Sequence, residues 1–230
     1  MKAIIIAAGR GNRMQSLTLT TPKPMLLVAG KPLIEHIISS LPKEVDELFI
    51  VIGYLGEQIR DFCGDSFYGR SITYIEQEKP LGTGHALKLC QSHINKENFF
   101  VLNADDLFDQ SSLSRALKHD LCLLVKEHKN PERFGVVYIN EDSSIEKIIE
   151  KPAQPDSNLV STGIWLLDER IFDDKYEVAA EPNGEYYLPK MATKLAADHK
   201  MFVERLDFWQ PTSSPEDLSK AEKALTELVS

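Results

Sequence analysis

Apolar residues in this chain come in short dense runs that alternate with stretches of helical spacing. Residues 2–8 (KAIIIAA), 48–53 (LFIVIG) and 99–103 (FFVLN) are nearly continuous and rich in β-branched or aromatic side chains. Such runs predict strands buried on both faces, as in a parallel sheet. Residues 72–76 (ITYIE) alternate like a strand. Segments 33–41 (LIEHIISSL), 55–63, 82–92, 187–198 and 216–228 predict helices. The last follows Ser-Ser-Pro-Glu-Asp at 213–217: a serine cap, a proline for the first helical position and two early acids. From residue 121 the texture changes. Segments 121–127, 135–139, 144–150 and 160–167 are strand candidates with few helices between them, which predicts an antiparallel insert beside a parallel sheet. Strand–helix alternation with right-handed crossovers makes the expected fold class α/β, a single doubly wound, mostly parallel sheet with that insert. No internal repeat, low-complexity tract or linker interrupts it, so residues 1–230 are expected to form one domain. Ligands of such sheets bind outside the carboxyl ends of the strands, so the residues after the first and third buried strands are where chemistry is expected.

Charge narrows the classes. Lysine plus arginine number 26 against 35 acids, a net charge of −9. A surface of that sign disfavours nucleic acid and anionic membranes, yet leaves room for a local basic pocket. Cys63, Cys90 and Cys122 are odd in number and form no CxxC pair, so reduced thiols are expected rather than a zinc site or disulfide framework. The apolar run 3–8 is too short for a signal peptide's core, and no stretch approaches the ~20 apolar residues of a membrane span. Together these point to a cytoplasmic protein.

The first buried strand runs into Ala7-Ala8-Gly9-Arg10-Gly11-Asn12-Arg13-Met14. Small residues let backbone N–H groups approach a nucleotide and cradle phosphate oxygens. Arg13 and Lys23, towards either end of the loop, supply a planar fork and a compact charge for a triphosphate. The spacing is neither Walker A, which needs G-K-[ST], nor a full G-x-G-x-x-G, because Met14 stands at the third glycine. Alone, the pair of glycines reads equally well as a surface turn with two solvated cations.

The whole string 6–36, IAAGRGNRMQSLTLTTPKPMLLVAGKPLIEH, resembles the opening of the nucleotide-sugar pyrophosphorylases, nucleotidyltransferases that activate sugar 1-phosphates. The small-small-Gly-x-Gly-x-Arg-Met element, the Pro-Lys-Pro and the Val-x-Gly-Lys-Pro-Leu follow in order. The resemblance implies a Rossmann-like nucleotidyltransferase fold, Mg²⁺ as cofactor, and a nucleoside triphosphate and a sugar 1-phosphate as partners. It places Ala7, Ala8, Gly9 and Gly11 on the nucleotide. Residues 76–87, EQEKPLGTGHAL, are similar to the second segment of the N-acetylglucosamine-1-phosphate uridylyltransferases, which puts Gln77, Gly82 and Thr83 at the base and ribose. Residues 101–108, VLNADDLF, resemble the family's V-L-x-G-D-x-L-F and assign Asp105 to the metal, leaving Asp106 as a helix cap or solvated turn. Gly135, the Glu150-Lys151-Pro152 triplet and Ser161 fall on the sugar side. Glu150 is implied at sugar hydroxyls and Lys151 at the sugar phosphate. The likeness runs from Met1 to about Leu218.

One departure stands out. Where many relatives carry a second metal ligand in W-x-D-x-x-T-P-E-D-L, this chain reads WQPTSSPEDL, with Pro211 at the aspartate. Asp106, Asp207 and Gln210 are the candidate replacements, with water a fourth. The catalytic set implied is Arg13, Lys23 and Asp105, with no Ser-His-Asp or Cys-His nucleophile required. Two other readings stay open at this point. One is a cytidylyltransferase for phosphocholine or another phosphorylated acceptor; the other is a silent regulatory relative that only binds nucleotide-sugar. The base, the sugar and the oligomeric state, a homo-oligomer included, are not legible.

Overall fold

The computed structural model describes residues 1–229, with side chains through residue 227. In chain order the elements begin β1 (Lys2–Ile6), β2 (Leu27–Val28), β3 (Lys31–Pro32), α1 (Leu33–Ser39), β4 (Glu47–Ile52), α2 (Gly56–Cys63), β5 (Ser66–Phe67), β6 (Arg70–Glu76) and α3 (Gly82–Leu89). There follow β7 (Phe99–Asn103), β8 (Asp106–Phe108), α4 (Gln110–Ala116), β9 (Cys122–Glu127), β10 (Gly135–Ile139), β11 (Ile145–Glu150) and β12 (Leu159–Leu167). The chain closes with α5 (Leu188–Asp198), β13 (Phe202–Arg205), β14 (Trp209–Pro211) and α6 (Pro215–Val229).

Among the described residues ten strands join one sheet in the order β11-β10-β12-β7-β1-β4-β6-β5, with β9 and β13 attached through β12. The centre, β7-β1-β4-β6, is parallel. Side chains alternate to opposite faces of a strand, and the three buried runs deal them to two cores. Ala3, Ile5, Ile50 and Leu102 pack with Ile34 and Ile37 of α1, Ile59 of α2 and Leu113 of α4. Ile4, Phe49, Val51 and Val101 pack with Ala86 and Leu87 of α3 and with Met191 and Leu195 of α5. Two apolar faces demand two helical layers, and this is the doubly wound arrangement.

The antiparallel strands lie at one edge of the parallel centre, as expected, and are continuous with it. β12 pairs with β7 through Trp165–Leu167 and with β10 at Val160, so one long strand carries the parallel centre into the antiparallel wing. Gly163, at φ +76°, bends it where its register against β9 shifts. The polar stretch after β1 is not an open loop. It forms two 3₁₀ turns, Asn12–Thr18 and Lys23–Met25, anchored by Met14 in a third core with Val28, Leu33, Leu107 and Ala221 of α6. Ser214 caps α6 as expected, accepting from Asp217 N–H at 3.3 Å. Buried Arg70 donates to the carbonyls of Leu41, Pro42 and Val45 and fastens the α1–β4 connection to β6. No helix among the described residues is long and apolar enough to cross a membrane.

Candidate active site

The carboxyl ends of β1, β4, β6 and β7 open onto three cavities. The first, about 350 Å³, is lined by Ala7, Gly9, Gly11, Arg13, Lys23 and Asp105, with Thr83, Asn103 and Ser213 completing its wall. A side chain at Gly9 would enter open space. Gly11 lies at φ +66°, and a Cβ there would come within 3.1 Å of Lys23 Cβ and 3.2 Å of Thr18 Cγ2. The second glycine thus lets the loop close over the lysine stem. Lys23 is 7% exposed, and its Nζ donates to Asp105 Oδ2 at 2.7 Å. Two residues 82 positions apart in sequence are brought together as a charge pair at the end of the third buried strand.

The second cavity, about 570 Å³, is lined by Ala8, Arg10, Gly53, Tyr54, Gln77 and Pro80, among others. Arg10 stacks over the Tyr54 ring at 5.7 Å. Gly53 is a site residue that sequence reasoning passed over. A Cβ on it would lie 2.9 Å from Ala8 O and 3.2 Å from Gln77 O, so the close approach of β1, β4 and β6 here requires glycine.

The third cavity, about 590 Å³, holds Glu150 and Lys151 opposite Tyr187, Pro189 and Lys190 of the α5 entrance. It shares Arg13, Thr83 and Asn103 with the first. Lys151 adopts φ +45°, a left-handed backbone rare outside glycine, held by its N–H donating to Phe134 O at 3.0 Å. Its Nζ lies 3.4 Å from Glu150 Oε1, and both side chains are more than half exposed, so either is free to exchange its partner for a ligand.

Of the remaining expected residues, Gly82, Gly135 and Ser161 stand behind these walls, while Thr83 lies on two of them. Gly82, at φ +88°, packs against the 185–187 segment, where a Cβ would lie 2.6 Å from Tyr186 O. Its carbonyl accepts from Gln77 Nε2. Thr83 Oγ1 accepts from Leu188 N–H at 3.0 Å and so joins α3 to α5. Gly135 lies beside Glu150 and Ser161: a Cβ there would be 3.1 Å from Glu150 Oε2 and 3.7 Å from Ser161 Cβ. Ser161 Oγ accepts from Gly163 N–H at 3.3 Å. Asn103 and Tyr187 line the third cavity without having been singled out. Asn103 had a signal, a polar residue ending a buried strand two positions before Asp105. A Cβ at Gly163 would lie 3.0 Å from its Nδ2, which gives that strand kink its purpose.

Asp106 is neither a solvated turn nor a helix cap. β14 pairs with β8, placing Pro211 opposite Asp106, whose carboxylate accepts from Trp209 Nε1 at 3.0 Å and Thr212 N–H at 3.4 Å. Burial, and then the charge of Asp105, push this carboxyl well above the ordinary range against the opposing pull of Lys23 and the two donors. Neither of the other side-chain replacements for the missing aspartate lines the first cavity. Asp207 Oδ2 accepts from Arg115 Nη1 at 2.8 Å, and Gln210 Nε2 donates to Pro211 O at 2.8 Å. Ser213 is the residue of this segment that reaches the first cavity. The described residues include no group of three or more histidine, cysteine or carboxylate side chains fit to hold a metal ion. Asp105 does fit one: a hard oxygen donor bordering the first cavity, already holding the Lys23 ammonium.

The profile of the nucleotidyl transferase family matches residues 2–227. The chain belongs to that family. Among nucleotidyl transferases, the bifunctional protein GlmU of Methanococcus maripaludis is 37% identical over 224 residues, covering 96% of this chain and 53% of that protein. The chain spans about half the length of the GlmU relatives it matches. The UTP–glucose-1-phosphate uridylyltransferase AglF of Haloferax volcanii is 34% identical over 237 residues, covering 99% of this chain and 97% of AglF. A Bacillus anthracis structure, assigned as a glucose-1-phosphate thymidylyltransferase and holding sucrose, superposes with a TM-score of 0.88 at 27% identity, covering 97% of this chain and 94% of its own. UDP-glucose pyrophosphorylase with UDP-glucose shares the fold, with a TM-score of 0.86 at 24% identity over 99% of this chain and 98% of its own.

Proposed function

We propose that this nucleotidyl transferase joins a nucleoside triphosphate to a sugar 1-phosphate, giving a nucleoside diphosphate sugar and pyrophosphate, within one unit spanning the chain. The observation that carries the reading is the joined pair of cavities. Arg13 and Lys23 line a space of about 350 Å³ that opens, through Arg13, Thr83 and Asn103, into a second space bearing Glu150 and Lys151. Two anions must meet in this reaction, and the cleft offers cations at both ends. AglF, similar over nearly its whole length, is named for the same chemistry and supports the reading.

The acceptor phosphate is already a nucleophile at neutral pH, so no general base is needed. One of its oxygens attacks the α-phosphorus, and the bond from that phosphorus to the oxygen bridging the β-phosphate breaks. The protein's task is alignment and charge screening. Lys151 leaves Glu150 to hold the acceptor phosphate, and Glu150 then accepts from sugar hydroxyls. Gly135 gives the Glu150 carboxylate room to turn, because any side chain there would crowd its Oε2. Lys23, fixed by its buried stem, stabilises charge growing at the α-phosphate, and Arg13 holds the departing phosphates. Asp105 would hold Mg²⁺, which when bound would screen the triphosphate charge.

The test is a pyrophosphate-release screen of UTP, dTTP, GTP, CTP and ATP against a panel of sugar 1-phosphates and phosphocholine. Turnover of a sugar 1-phosphate is expected. Turnover of phosphocholine alone replaces the acceptor, and no turnover with intact nucleotide-sugar binding supports the silent regulatory reading.

A further inference from the structure

Asp105 stands on the two-residue turn between β7, which ends at Asn103, and β8, which begins at Asp106. The entry to the turn is fixed by Ala104, whose N–H donates at 3.0 Å to Ile6 O at the end of β1. The exit is fixed by Thr212. The ladder of β14 on β8 pairs Trp209 with Phe108, Gln210 with Leu107 and Pro211 with Asp106, and one further step sets Thr212 across from Asp105. Pro211 has no N–H to give. Both donors of Thr212 converge on the Asp105 carbonyl. The hydroxyl donates to it, and so does the N–H at 3.3 Å, with Asp106 Oδ1 as a second acceptor at 3.4 Å. Thr212 is fully buried, which makes an unmade bond at its hydroxyl costly.

These main-chain bonds place the carboxylate as well. With the turn clamped on both sides, what remains free in Asp105 is its side-chain torsions, and the Lys23 ammonium at 2.7 Å takes these up. In the proposed reaction Lys23 turns to the α-phosphate, so its hold on the carboxylate weakens when the cleft is loaded. The carboxylate then keeps its place through the main chain. Thr212 is 107 positions away in sequence and does not line the cavity, so it acts there only through Asp105.

We infer that Thr212 is a positioning residue: its hydroxyl holds the Asp105 peptide so that the carboxylate stays on the wall of the Arg13 and Lys23 cavity, ready for a divalent cation. The inference rests on the reading of Asp105 as the carboxylate that takes Mg²⁺ in a nucleotidyltransferase cleft. Groups behind a metal ligand act on affinity by fixing its orientation. Thr212 acts one step further back, through the peptide, so its effect should be that of one ordinary hydrogen bond.

The test is Mn²⁺ binding to the full chain, read from the free-ion signal in electron paramagnetic resonance, alongside urea unfolding and steady-state pyrophosphate release. Mn²⁺ stands in for Mg²⁺ because carboxylate and water oxygens suit both. The variants are Thr212→Val, nearly the same shape without the hydroxyl, Thr212→Ser, which keeps it, and Asp105→Asn. The valine variant should bind Mn²⁺ roughly 3- to 10-fold more weakly, the worth of one hydrogen bond, and lose kcat by a similar factor while the KM of the sugar phosphate stays put. The serine variant should lie within about twofold of wild type in both. Should the valine variant not fold, Thr212→Ala, which removes the hydroxyl without setting a second methyl against the carbonyl, carries the same expectation. A folded valine or alanine variant with wild-type Mn²⁺ affinity overturns the inference, as does a serine variant as weak as the valine one, because the threonine would then only pack the end of the strand. Wild type that binds no Mn²⁺, or Asp105→Asn that binds it as tightly as wild type, overturns the metal assignment of Asp105 and this inference with it. Mn²⁺ binding that follows the expectation in a chain that turns over no sugar 1-phosphate upholds the inference and leaves the failure with the nucleotidyltransferase reading.

Discussion

Replacing Lys23 with alanine perturbs stability and chemistry by different amounts, and the structure lets both be worked out. The lysine side chain is 9% exposed and its Nζ lies 2.7 Å from Asp105 Oδ2, which is 29% exposed. At an effective dielectric of 20 the pair attracts by about 6 kcal/mol, most of it offset by the desolvation of the buried ammonium. Removal also leaves Asp105 beside Asp106 without the cation that opposes their repulsion. Water can reach the partly open Asp105, so the net loss of stability should be about 1–3 kcal/mol, below that of a fully buried pair broken on one side. Catalysis should lose more. A preorganised charge that acts on the transition state appears in kcat, so turnover should fall on the order of 10²–10³-fold with little change in the triphosphate's KM. Urea unfolding measures the first quantity and steady-state pyrophosphate release the second. Lys23→Gln separates them further, keeping part of the stem packing against Gly11 while removing the charge. Turnover within threefold of wild type in both variants would refute the assignment of Lys23, and an unperturbed urea midpoint in the alanine variant would refute the energetic argument.

Gly82→Ala should lower stability by about 2–4 kcal/mol, since it meets Tyr186 O at 2.6 Å and carries a side chain at φ +88°. The melting temperature reads this as a fall of several degrees or more, and a wild-type value contradicts the close packing of α3 on the 185–187 segment. Burial drives the Asp109 carboxyl upward, but donors from Phe208 N–H, Ser111 and Ser112 outweigh it and hold it below its ordinary value. Its stabilising contribution is therefore complete above an unfolded pKa of about 3.9 and is lost as pH falls through the lower native value. Asp109→Asn should flatten the acid limb of the stability curve and cost about 1–2 kcal/mol at pH 7; an identical acid limb counts against it. Burial pushes the thiols of Cys63, Cys90 and Cys122 up to about 12. A disulfide dye should label none in the native protein and three after denaturation, and fast native labelling would show the burial to be wrong.

The sheet centre was legible because residues 2–8, 48–53 and 99–103 are apolar on consecutive positions, and only a strand covered on both faces makes use of that pattern. The short strands Asp106–Phe108, Phe202–Arg205 and Trp209–Pro211 were not. Their residues carry no period, and they are strands because β14 lies on β8 and β13 on β9. Helix α4 was equally silent: QSSLSRA has weak helical spacing, and the capping carboxylate of Asp109 and packing on β9 and β13 make it.

The same division runs through the site. Sequence alone supplied the residue types and their order: Gly9, Gly11, Arg13 and Lys23 after a buried strand, Asp105 at the end of another, and Glu150 with Lys151. These are local signals, a chemical type at a spacing. Only the tertiary structure decided which of them meet. It joined Lys23 to Asp105 and opened the first cavity into the third through Asn103. It drew Asp106 into β8 beneath Trp209. Burial, desolvation and hydrogen-bond direction depend on neighbours distant in the chain, and no single segment encodes them.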